Sequence, residues 1–359
     1  MRRIGNLYSK VIEPNLLAKA AKKCCQSRKD KQEVEAFISN YTVLMDSLRQ
    51  SLIDHTFQPS EYRLFKKMEN GKERLVSDQP LYPDRIVHQA VAMVVEPYID
   101  RRLIPQTHAS RKGYGPHSAV ANVRKYLDRD ERLIYGLKMD VKQFFRSVPL
   151  SLAKKVLRRV IKDDELLELI DRILEAYGPV GLALGNRLSP MIANLILAYA
   201  VDYPLKQKKH VHYYVRFMDD MIVLGYSKQW LHSIRRFVQS QLEDIGLTLK
   251  ENWQVFPISD RGVQFVGRVI YPGKTRMCTK SKKKMLRATD AIRLKQLDGV
   301  PLTKRDLGAV WSYNGCIKNC DGDGLRRISV GPIIEQLNKE REQDAEVFQK
   351  RISASKREE

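Results

Sequence analysis

Residues Val211 to Gly225 read V-H-Y-Y-V-R-F-M-D-D-M-I-V-L-G, so that two adjacent aspartates separate two runs of strand-forming residues. The β-branched and aromatic residues of both runs suit strands of a mostly buried sheet. The stretch therefore predicts a β-hairpin with Asp219 and Asp220 at its tip. Burying these carboxylates costs free energy unless a cation or a hydrogen-bond network compensates. A divalent metal ion is the obvious partner, although an Asp-Asp pair alone is also common in ordinary turns.

A third aspartate strengthens the metal interpretation. Asp140 follows the apolar run of residues 133–139, which also has the composition of a strand. Two strands that end in carboxylates can hold two hard cations through oxygen ligands, the arrangement that stabilises the attacking and leaving oxygens in phosphoryl transfer. The pattern indicates nucleotidyl transfer.

A glycine-containing loop lies between these strands, in G-L-A-L-G-N-R-L-S-P-M-I-A-N-L-I-L-A-Y-A. Ser189 at the N-cap and Pro190 at the first helical position predict the start of a core helix. Glycine at position 181 or 185 would allow the backbone to approach a base pair closely. Taken alone, this is a common junction between a loop and a helix.

The order of these blocks is specific. Asp140, G-N-R-L-S-P, F-M-D-D, G-L-T-L-K and V-Q-F-V-G-R-V-I-Y follow one another as in the palm of reverse transcriptases, and the resemblance covers about residues 62–311. Within that family, R-K-G-Y-G-P-H, R-F-M-D-D-M-I-V-L-G and W-Q-V-F-P-I-S-D-R-G-V-Q-F-V-G are most similar to the enzymes of diversity-generating retroelements. Antiphage-defence reverse transcriptases are close relatives. The resemblance implies an α+β right-hand polymerase fold, with fingers, a palm built on an antiparallel sheet, and a helical thumb.

The resemblance also implies an activity and its catalytic residues. The activity is RNA-directed DNA polymerisation, which makes cDNA from dNTPs by two-metal nucleotidyl transfer in a diversity-generating retroelement or an antiphage-defence system. Asp140 and Asp219 would hold two Mg²⁺ ions, for which Mn²⁺ can substitute. Asp220 would support the metal site, and the backbone of Val141 is a further ligand. Phe145 would exclude a 2′-hydroxyl and so favour dNTPs over NTPs.

Further nucleotide contacts follow from the same resemblance. Lys67 and Arg74 match the fingers residues that hold the triphosphate, a role that suits the planar fork of arginine. Such a charged hairpin is also a common solvated turn. Leu184, before Gly185, stands where most reverse transcriptases have glutamine, which leads us to expect relaxed fidelity. Enzymes of diversity-generating retroelements usually have glutamine after the loop serine, whereas Pro190 at this position matches the reverse transcriptases of retrons and group II introns.

The segment after Leu249 departs from the family pattern. It lacks the usual lysine just before the turn, so Lys250 is only a candidate for the proton donor to pyrophosphate.

The charge of the chain suits a nucleic-acid partner. The formal net charge is +22, and residues 266–287 contain eight Lys or Arg and no acidic residue. Such charge attracts a phosphate backbone, whose contacts position a duplex without reading its sequence. Charge alone would also fit a ribosomal or membrane-surface protein, and the basic run could be a solvated linker. The predicted nucleic-acid contacts are Arg111, Lys274, Arg276, Lys280, Lys282, Lys283 and Lys284.

The domain organisation follows from composition, helical spacing and the resemblance. We expect an N-terminal helical region (1–56), fingers (57–132), a palm with some fingers elements (133–271), a thumb (272–338) and a charged tail (339–359). No apolar run is long enough to cross a bilayer, which predicts a cytoplasmic protein without a membrane partner. The expected partners are an RNA template, the cDNA product, dNTPs, and a cognate noncoding RNA or a small basic accessory protein.

Two other functions remain open. One is a non-polymerising RNA-binding subunit that uses the palm as a scaffold, although three costly carboxylates argue against it. The other is an RNA-templated RNA polymerase, which Phe145 disfavours.

Overall fold

The computed structural model of the chain describes residues 2–26, 32–69, 72–339 and residue 342. The chain divides into two compact units. The first comprises residues 1–119 and 135–256, and the second comprises residues 120–134 and 257–359. Helices and antiparallel sheets occur together in the described residues, which confirms the predicted α+β class.

Four helices cover the N-terminal region that the apolar spacing predicted to be helical. They are α1 (Tyr8–Val11), α2 (Pro14–Gln26), α3 (Gln32–Ser39) and α4 (Tyr41–Ile53). Val34, Phe37, Leu48 and Leu52 are buried in the main core, as amphipathic helices require. Ile38 lies outside the core with 60% of its surface exposed.

A two-stranded antiparallel hairpin follows these helices. Its strands are β1 (Arg63–Glu69) and β2 (Lys72–Asp78). The two residues between the strands, Asn70 and Gly71, lie outside the described part of the chain. A π-helical turn (Leu81–Arg85) then leads into helices α5 (Ile86–Asp100) and α6 (Pro116–Arg129).

A four-stranded sheet forms the centre of the first unit. Its strands are β3 (Tyr135–Met139), β4 (Tyr214–Phe217), β5 (Asp220–Gly225) and β6 (Gln254–Pro257), in the order β4-β5-β3-β6. Strand β5 is antiparallel to both of its neighbours, β4 and β3. The helices between these strands are α7 (Phe144–Ser147), α8 (Leu150–Arg158), α9 (Asp164–Glu175), α10 (Ser189–Leu197), α11 (Tyr203–Gln207) and α12 (Lys228–Glu243), with a π-helical turn at Ala198–Asp202.

The predicted hairpin forms, but its first strand starts later than the run of strand-forming residues. That run begins at Val211, whereas β4 begins at Tyr214. The amide of Val211 donates to the carbonyl of Leu205 at 3.0 Å, and Lys206 Nζ donates to the carbonyl of His212 at 2.9 Å. These bonds hold residues 211 and 212 against the preceding helix instead of the sheet.

The second unit contains a three-stranded sheet and a helical bundle. Its elements after residue 257 are α13 (Ile258–Arg261), β7 (Val263–Phe265), β8 (Arg268–Tyr271), β9 (Lys274–Met277), α14 (Thr279–Leu297), α15 (Lys304–Lys318) and α16 (Asp323–Ile328). Residues 330–339 are also helical. Met285, Ile292, Val310 and Ile333 form a separate core there.

The boundaries of fingers, palm and thumb stay predictions. Of the charged tail expected at 339–359, only residues 339 and 342 lie within the described residues. Among the described helices, none combines the length and the apolar character that crossing a bilayer requires.

Candidate active site

The register of the central sheet brings the three predicted aspartates to one end of it. Met139 pairs with Met221, so Asp140, which follows β3, comes beside Asp220, the first residue of β5. Asp219 occupies the two-residue turn between β4 and β5. The antiparallel arrangement therefore brings Asp140 to the same end of the sheet as the adjacent pair Asp219 and Asp220, which follow it by about eighty residues in sequence.

Burial is the main cause that disfavours ionisation of Asp219 and Asp220. The pKa of Asp219 is raised to about 7, first by burial and then by hydrogen bonding and charge repulsion from Asp140. Burial raises the pKa of Asp220 to about 6 despite the opposing charge of Lys138. A nearby cation would favour the ionised forms.

Two lysines contact these carboxylates. Lys138 Nζ lies 3.2 Å from Oδ2 of Asp220. Lys250 Nζ contacts Oδ2 of Asp140, and the Lys250 amide donates to the Asp140 carbonyl at 2.8 Å. Lysine 250 thus lies at the carboxylate cluster, which is compatible with its predicted role but does not test it.

The second oxygens of two of these carboxylates are left without a partner. Oδ1 of Asp140 and Oδ1 of Asp220 are buried and accept no hydrogen bond from the described residues. Val141 lies opposite Leu249 in an isolated antiparallel bridge. The hydrogen bonds of this bridge join residue 142 to residue 248 and residue 250 to residue 140, so they do not use the Val141 carbonyl. Buried oxygen atoms of this kind fit a hard divalent cation.

The described side chains alone do not provide a complete set of metal ligands at this position. Within the described residues no group of three His, Cys, Asp or Glu side chains is arranged to hold a metal ion by itself. Magnesium commonly binds through one or two carboxylates together with water and substrate phosphates. The partial ligand set is therefore compatible with Mg²⁺ that arrives with a nucleotide.

The turn that carries Asp219 is held by a residue that the sequence analysis did not single out. Met218 has a φ of 55°, which a residue with a side chain adopts at a cost but which the first position of a type II′ turn requires. Arg216 donates from Nη1 to the Met218 carbonyl at 3.0 Å. The guanidinium of Arg216 thus fixes the backbone immediately before Asp219.

Arg216 itself belongs to a fully buried polar network. Its side chain and that of Asp202 have no exposed surface, and Nη2 of Arg216 lies 2.6 Å from Oδ2 of Asp202. Arg216 also donates to Oδ1 of Asn194 at 2.9 Å, and the hydroxyls of Tyr214 and Thr107 donate to Asp202 at 2.7 and 3.0 Å. In the sequence, the signal of this network was Arg216 itself, a charged residue inside a run of strand-forming residues.

The predicted loop of Leu184 and Gly185 contacts Ser77, near the C-terminal end of strand β2. The Ser77 amide and hydroxyl both donate to the Leu184 carbonyl, each at 2.8 Å. Gly185 has a φ of +123°, and a Cβ at this position would collide with the Ser77 carbonyl oxygen. Glycine is therefore required here by both backbone conformation and space.

The helix after this loop starts one residue earlier than predicted. Helix α10 begins at Ser189, so Ser189 is its first residue and Leu188 is the N-cap. Asn186 Oδ1 accepts from the Leu188 amide at 2.8 Å, while the Ser189 hydroxyl is buried without a partner among the described residues. The prediction that Ser189 is the N-cap is therefore wrong, and Asn186 supplies the side-chain oxygen that accepts from the N-cap residue Leu188.

The predicted sugar gate lies against the same loop. Phe145 is half-buried in α7, and its carbonyl accepts from the Leu182 amide at 2.5 Å. Gly181 donates to the Val148 carbonyl at 2.8 Å. Phe145 and Leu184 are therefore carried by two chain segments that are hydrogen-bonded to each other.

Lys67 and Arg74 are directly opposite one another in the hairpin β1–β2. Residues that are paired in this way place their side chains on the same face of the hairpin. Both residues are exposed. The two predicted triphosphate ligands are thus neighbours on an accessible strand pair.

The predicted basic surface of the second unit is exposed. Lys274 and Arg276 alternate with buried Thr275 on strand β9. The first turns of α14 carry the other exposed lysines of this surface, Lys280, Lys282, Lys283 and Lys284. Positive charge at a helix N-terminus opposes the helix dipole, so an anionic partner would relieve an unfavourable arrangement.

The prediction for Arg111 is wrong, because its guanidinium is not available to nucleic acid. The Arg111 side chain is only 6% exposed and pairs with Asp100 at 2.6 Å. It also donates to the carbonyls of Ile104 and Thr107 and lies 4.1 Å from the ring centre of Tyr114. Arg111 stabilises the fold of the 100–114 segment.

Comparison with known proteins identifies relatives over most of this region. The family described as "Reverse transcriptase (RNA-dependent DNA polymerase)" matches residues 65–270, more than half of the chain. "Nuclear intron maturase 1, mitochondrial" of Arabidopsis thaliana is 29% identical over 110 residues, which cover 30% of this chain and 15% of that protein. "Protein YkfC" of Escherichia coli K12 is 23% identical over 277 residues, covering 71% of this chain and 67% of YkfC.

A further relative and a solved structure extend the comparison. The "Putative COX1/OXI3 intron 1 protein" of Saccharomyces cerevisiae is 24% identical and covers 54% of this chain. The chain spans less than a third of the Arabidopsis and yeast relatives. Apo telomerase from Candida tropicalis matches with a TM-score of 0.50 and 12% identity, covering 70% of this chain and 55% of that one. The predicted right-hand polymerase fold is thereby confirmed.

Proposed function

This chain belongs to the reverse transcriptase family, and we propose that it is an active RNA-directed DNA polymerase that makes cDNA from dNTPs on an RNA template. The observation that carries the proposal is a pair of buried oxygens, Oδ1 of Asp140 and Oδ1 of Asp220, that have no hydrogen-bond partner within the described ranges of the chain, beside the raised pKa of Asp219. A scaffold without chemistry would gain nothing from burying these groups together.

The metal ligands we propose are the carboxylates of Asp140 and Asp219 with the Val141 carbonyl, while Asp220 supports the site. When bound, two Mg²⁺ ions, or Mn²⁺ in their place, supply Lewis-acid stabilisation of the attacking 3′-hydroxyl oxygen and of the leaving pyrophosphate. Arg216 holds the Met218 carbonyl and so orients the carboxylate of Asp219. Lys250, which contacts Asp140, is the candidate for proton donation to pyrophosphate.

The nucleotide would be held by residues of the hairpin and the loops. Lys67 and Arg74, paired across β1–β2, bind the triphosphate with complementary charge. The ring of Phe145 lies under the sugar and excludes a 2′-hydroxyl. Leu184 and Gly185 contact the nascent base pair, and the aliphatic Leu184 offers that pair no hydrogen bond, which supports relaxed fidelity. The template–primer duplex would contact the exposed basic surface Lys274, Arg276, Lys280, Lys282, Lys283 and Lys284.

The decisive experiment measures incorporation of labelled dNTPs on an RNA template with a DNA primer, in the presence of Mg²⁺. The test variant is Asp219→Asn/Asp220→Asn, which keeps side-chain size and removes charge. Asp46→Asn, an exposed aspartate of α4, is the matched control. We expect cDNA from the wild type and the control but at least a hundredfold less from the test variant. Equal incorporation by all three proteins would contradict the proposal.

The competing function is RNA binding without polymerisation. It is favoured by the name of the Arabidopsis relative, an intron maturase, because the name describes a role other than cDNA synthesis. If wild-type protein retained RNA but incorporated no dNTP with either Mg²⁺ or Mn²⁺, this function would replace the polymerase proposal.

We further propose that the polymerase serves a diversity-generating retroelement or an antiphage-defence system, as the sequence motifs suggest. A diversity-generating role predicts a small basic accessory protein and a template repeat encoded beside the gene. A defence role predicts a cognate structured noncoding RNA and protection from phage. Sequencing the RNA and cDNA that co-purify with the protein separates them, since errors concentrated in one template repeat support the first and a cDNA copied from a noncoding RNA supports the second.

A further inference from the structure

An aromatic pocket lies at the end of the β4–β5 hairpin that is remote from the aspartates. Its volume is 270 Å³, and its walls include His210, His212, Tyr213, Tyr226 and Trp230. Tyr226 is 47% exposed and Trp230 is 37% exposed, which is unusual for such large rings. Three aromatic rings and two imidazoles therefore face solvent around one small cavity.

The pocket is rigidly built. Gly225 makes room for the Trp230 ring, since a Cβ at residue 225 would lie only 2.7 Å from that ring. The Ser227 hydroxyl caps helix α12 by accepting from the Trp230 amide. The rings of Tyr213 and Tyr226 meet edge to face at 6.4 Å between centroids. A ring system that entered the pocket would meet preorganised stacking surfaces.

A second pocket, of 620 Å³, is basic. It is lined by three cationic side chains, Arg102, Arg159 and Lys208, and none of its eight lining residues is acidic. Arg102 donates to the Arg2 carbonyl at 2.8 Å, and the guanidinium of Arg159 lies 4.9 Å from the ring centre of Tyr199. Arg102 is buried, whereas Arg159 is exposed, so Arg159 is the arginine of this pocket that is suited to bind phosphate groups.

Helix α12 connects the two pockets. Trp230 lines the aromatic pocket, and Gln241, eleven residues later on the same helix, lines the basic one. At about 1.5 Å per residue the two positions are roughly 16 Å apart. Between them, Lys209 Nζ lies 4.8 Å from the ring centre of Phe237. The segment Lys208–His210 passes from one pocket to the other and adds positive charge between them.

We propose that these two pockets form one binding surface for single-stranded RNA, with nucleobases stacked on Tyr226 and Trp230 and phosphates held by Arg159 and Lys208. Aromatic faces interleaved with cations are the means by which proteins hold unpaired strands. A duplex buries its base faces and could not use the aromatic pocket. The surface is separate from the polymerase site, because Asp220 and Gly225 are the opposite ends of strand β5, about 17 Å apart.

The proposal is tested by the affinity of the full chain for a short uridine-rich single-stranded RNA. The measurement is made in EDTA, with the template–primer site first saturated by an RNA–DNA duplex, so that catalysis plays no part. The aromatic variants are Trp230→Ala and, should that protein fail to fold, Tyr226→Ala. Their control is Tyr41→Ala, an exposed aromatic residue of α4. The charge variant is Arg159→Ala/Lys208→Ala, matched by Lys10→Ala/Lys19→Ala, two exposed helical lysines outside both pockets.

We expect each aromatic variant to bind roughly tenfold more weakly than its control, as the absence of one stacked base implies. In the charge variant, the dependence of affinity on salt should be less steep, by about 0.7 for each phosphate that the variant no longer neutralises. Ultraviolet cross-links between RNA and protein should map to Tyr226 or Trp230.

Three outcomes would overturn the proposal. Unchanged affinity in the folded aromatic variants would remove the stacking role, and a duplex that competed as well as the single strand would do the same. Cross-links confined to other regions of the chain would show that the RNA binds elsewhere. A wild-type protein that binds the single strand in EDTA but incorporates no dNTP in the separate assay with Mg²⁺ or Mn²⁺ would leave this surface supported and the proposed polymerase function refuted, so the two failures are distinguishable.

Discussion

Replacing Asp202 by asparagine should destabilise the protein strongly although it changes a single side-chain atom from oxygen to nitrogen. The Asp202 carboxylate, fully buried, accepts two hydrogen bonds from Arg216, at 2.9 and 2.6 Å, and one each from Tyr214 and Thr107. Asp202→Asn leaves the Arg216 guanidinium buried without a counter-charge. Breaking a buried ion pair from one side costs about 3–5 kcal/mol.

A matched control separates this charge effect from the removal of an ordinary hydrogen bond. Tyr214→Phe removes one hydrogen bond to the same carboxylate but leaves the ion pair intact, so its expected cost is about 1 kcal/mol. Urea unfolding, followed by far-ultraviolet circular dichroism and by tryptophan fluorescence, gives the free energy of unfolding of each protein. Equal destabilisation of the two variants would refute the reasoning, because the charge of Asp202 would then contribute nothing.

The same network allows an effect on stability to be separated from an effect on the position of the turn that carries Asp219. In Arg216→Met/Asp202→Leu both charges are removed, and apolar replacement of a buried pair is often neutral or stabilising. We expect the double variant to recover most of the stability that Asp202→Asn removes. It should still lack the bond to the Met218 carbonyl, so amide hydrogen exchange at residues 218–220 should be faster than in the wild type and Mn²⁺ binding should be weaker. Wild-type exchange and wild-type Mn²⁺ binding in this variant would show that Arg216 does not hold the turn.

Three further predictions follow from particular residues. Gly185→Ala should lower the free energy of unfolding in urea by about 1–3 kcal/mol more than Gly178→Ala. Both glycines have φ near +125°, but only a Cβ at residue 185 would collide with Ser77. Equal decreases for the two variants would exclude that contact. Burial lowers the pKa of His88 to about 3, below its value of about 6.5 in the unfolded chain. Between these two values the unfolded state binds more protons than the folded state, so the free energy of unfolding declines by up to about 1.4 kcal/mol for each unit by which the pH falls. His88→Phe should lose less stability between pH 7 and pH 5 than the wild type, and parallel declines would contradict this assignment. Phe145→Ala should gain ribonucleotide incorporation in primer extension, whereas unchanged selectivity for dNTPs would rule out a sugar gate.

The sequence predicted the hairpin and the neighbouring aspartates because their signals are local. Two runs of strand-forming residues around Asp219 define the hairpin, and the apolar run before Asp140 defines its partner strand. The pairing of Met139 with Met221, which brings Asp140 beside Asp220, is seen only in the folded sheet. The sequence analysis expected glycine at position 181 or 185 to let the backbone approach a base pair. It did not predict the contact of residue 185 with the Ser77 carbonyl, because residues 77 and 185 meet only through the tertiary fold.

The errors in the sequence analysis have the same physical origin. Arginine is a residue type that often binds phosphate, yet the guanidinium of Arg111 donates its hydrogen bonds to Asp100 and to two backbone carbonyls inside the fold. Strand β4 starts at Tyr214 because Leu205 and Lys206 bind the two residues before Tyr213, and no periodicity in residues 211–217 reports that competition. Residue type shows which chemistry a side chain can perform, whereas its partners decide whether it is free to do so.

Arg216 shows how this distinction bears on function. Arg216 lies two residues before the turn that carries Asp219, and the sequence analysis assigned it no role. In the structure its charge is neutralised by Asp202 and its remaining donors reach Asn194 of helix α10 and the carbonyl of Met218. Helix α10 directly follows the Leu184–Gly185 loop. The guanidinium of Arg216 therefore connects helix α10, which follows the predicted base-pair loop, to the turn that carries Asp219. We expect a substitution that shifts helix α10 to shift this turn as well.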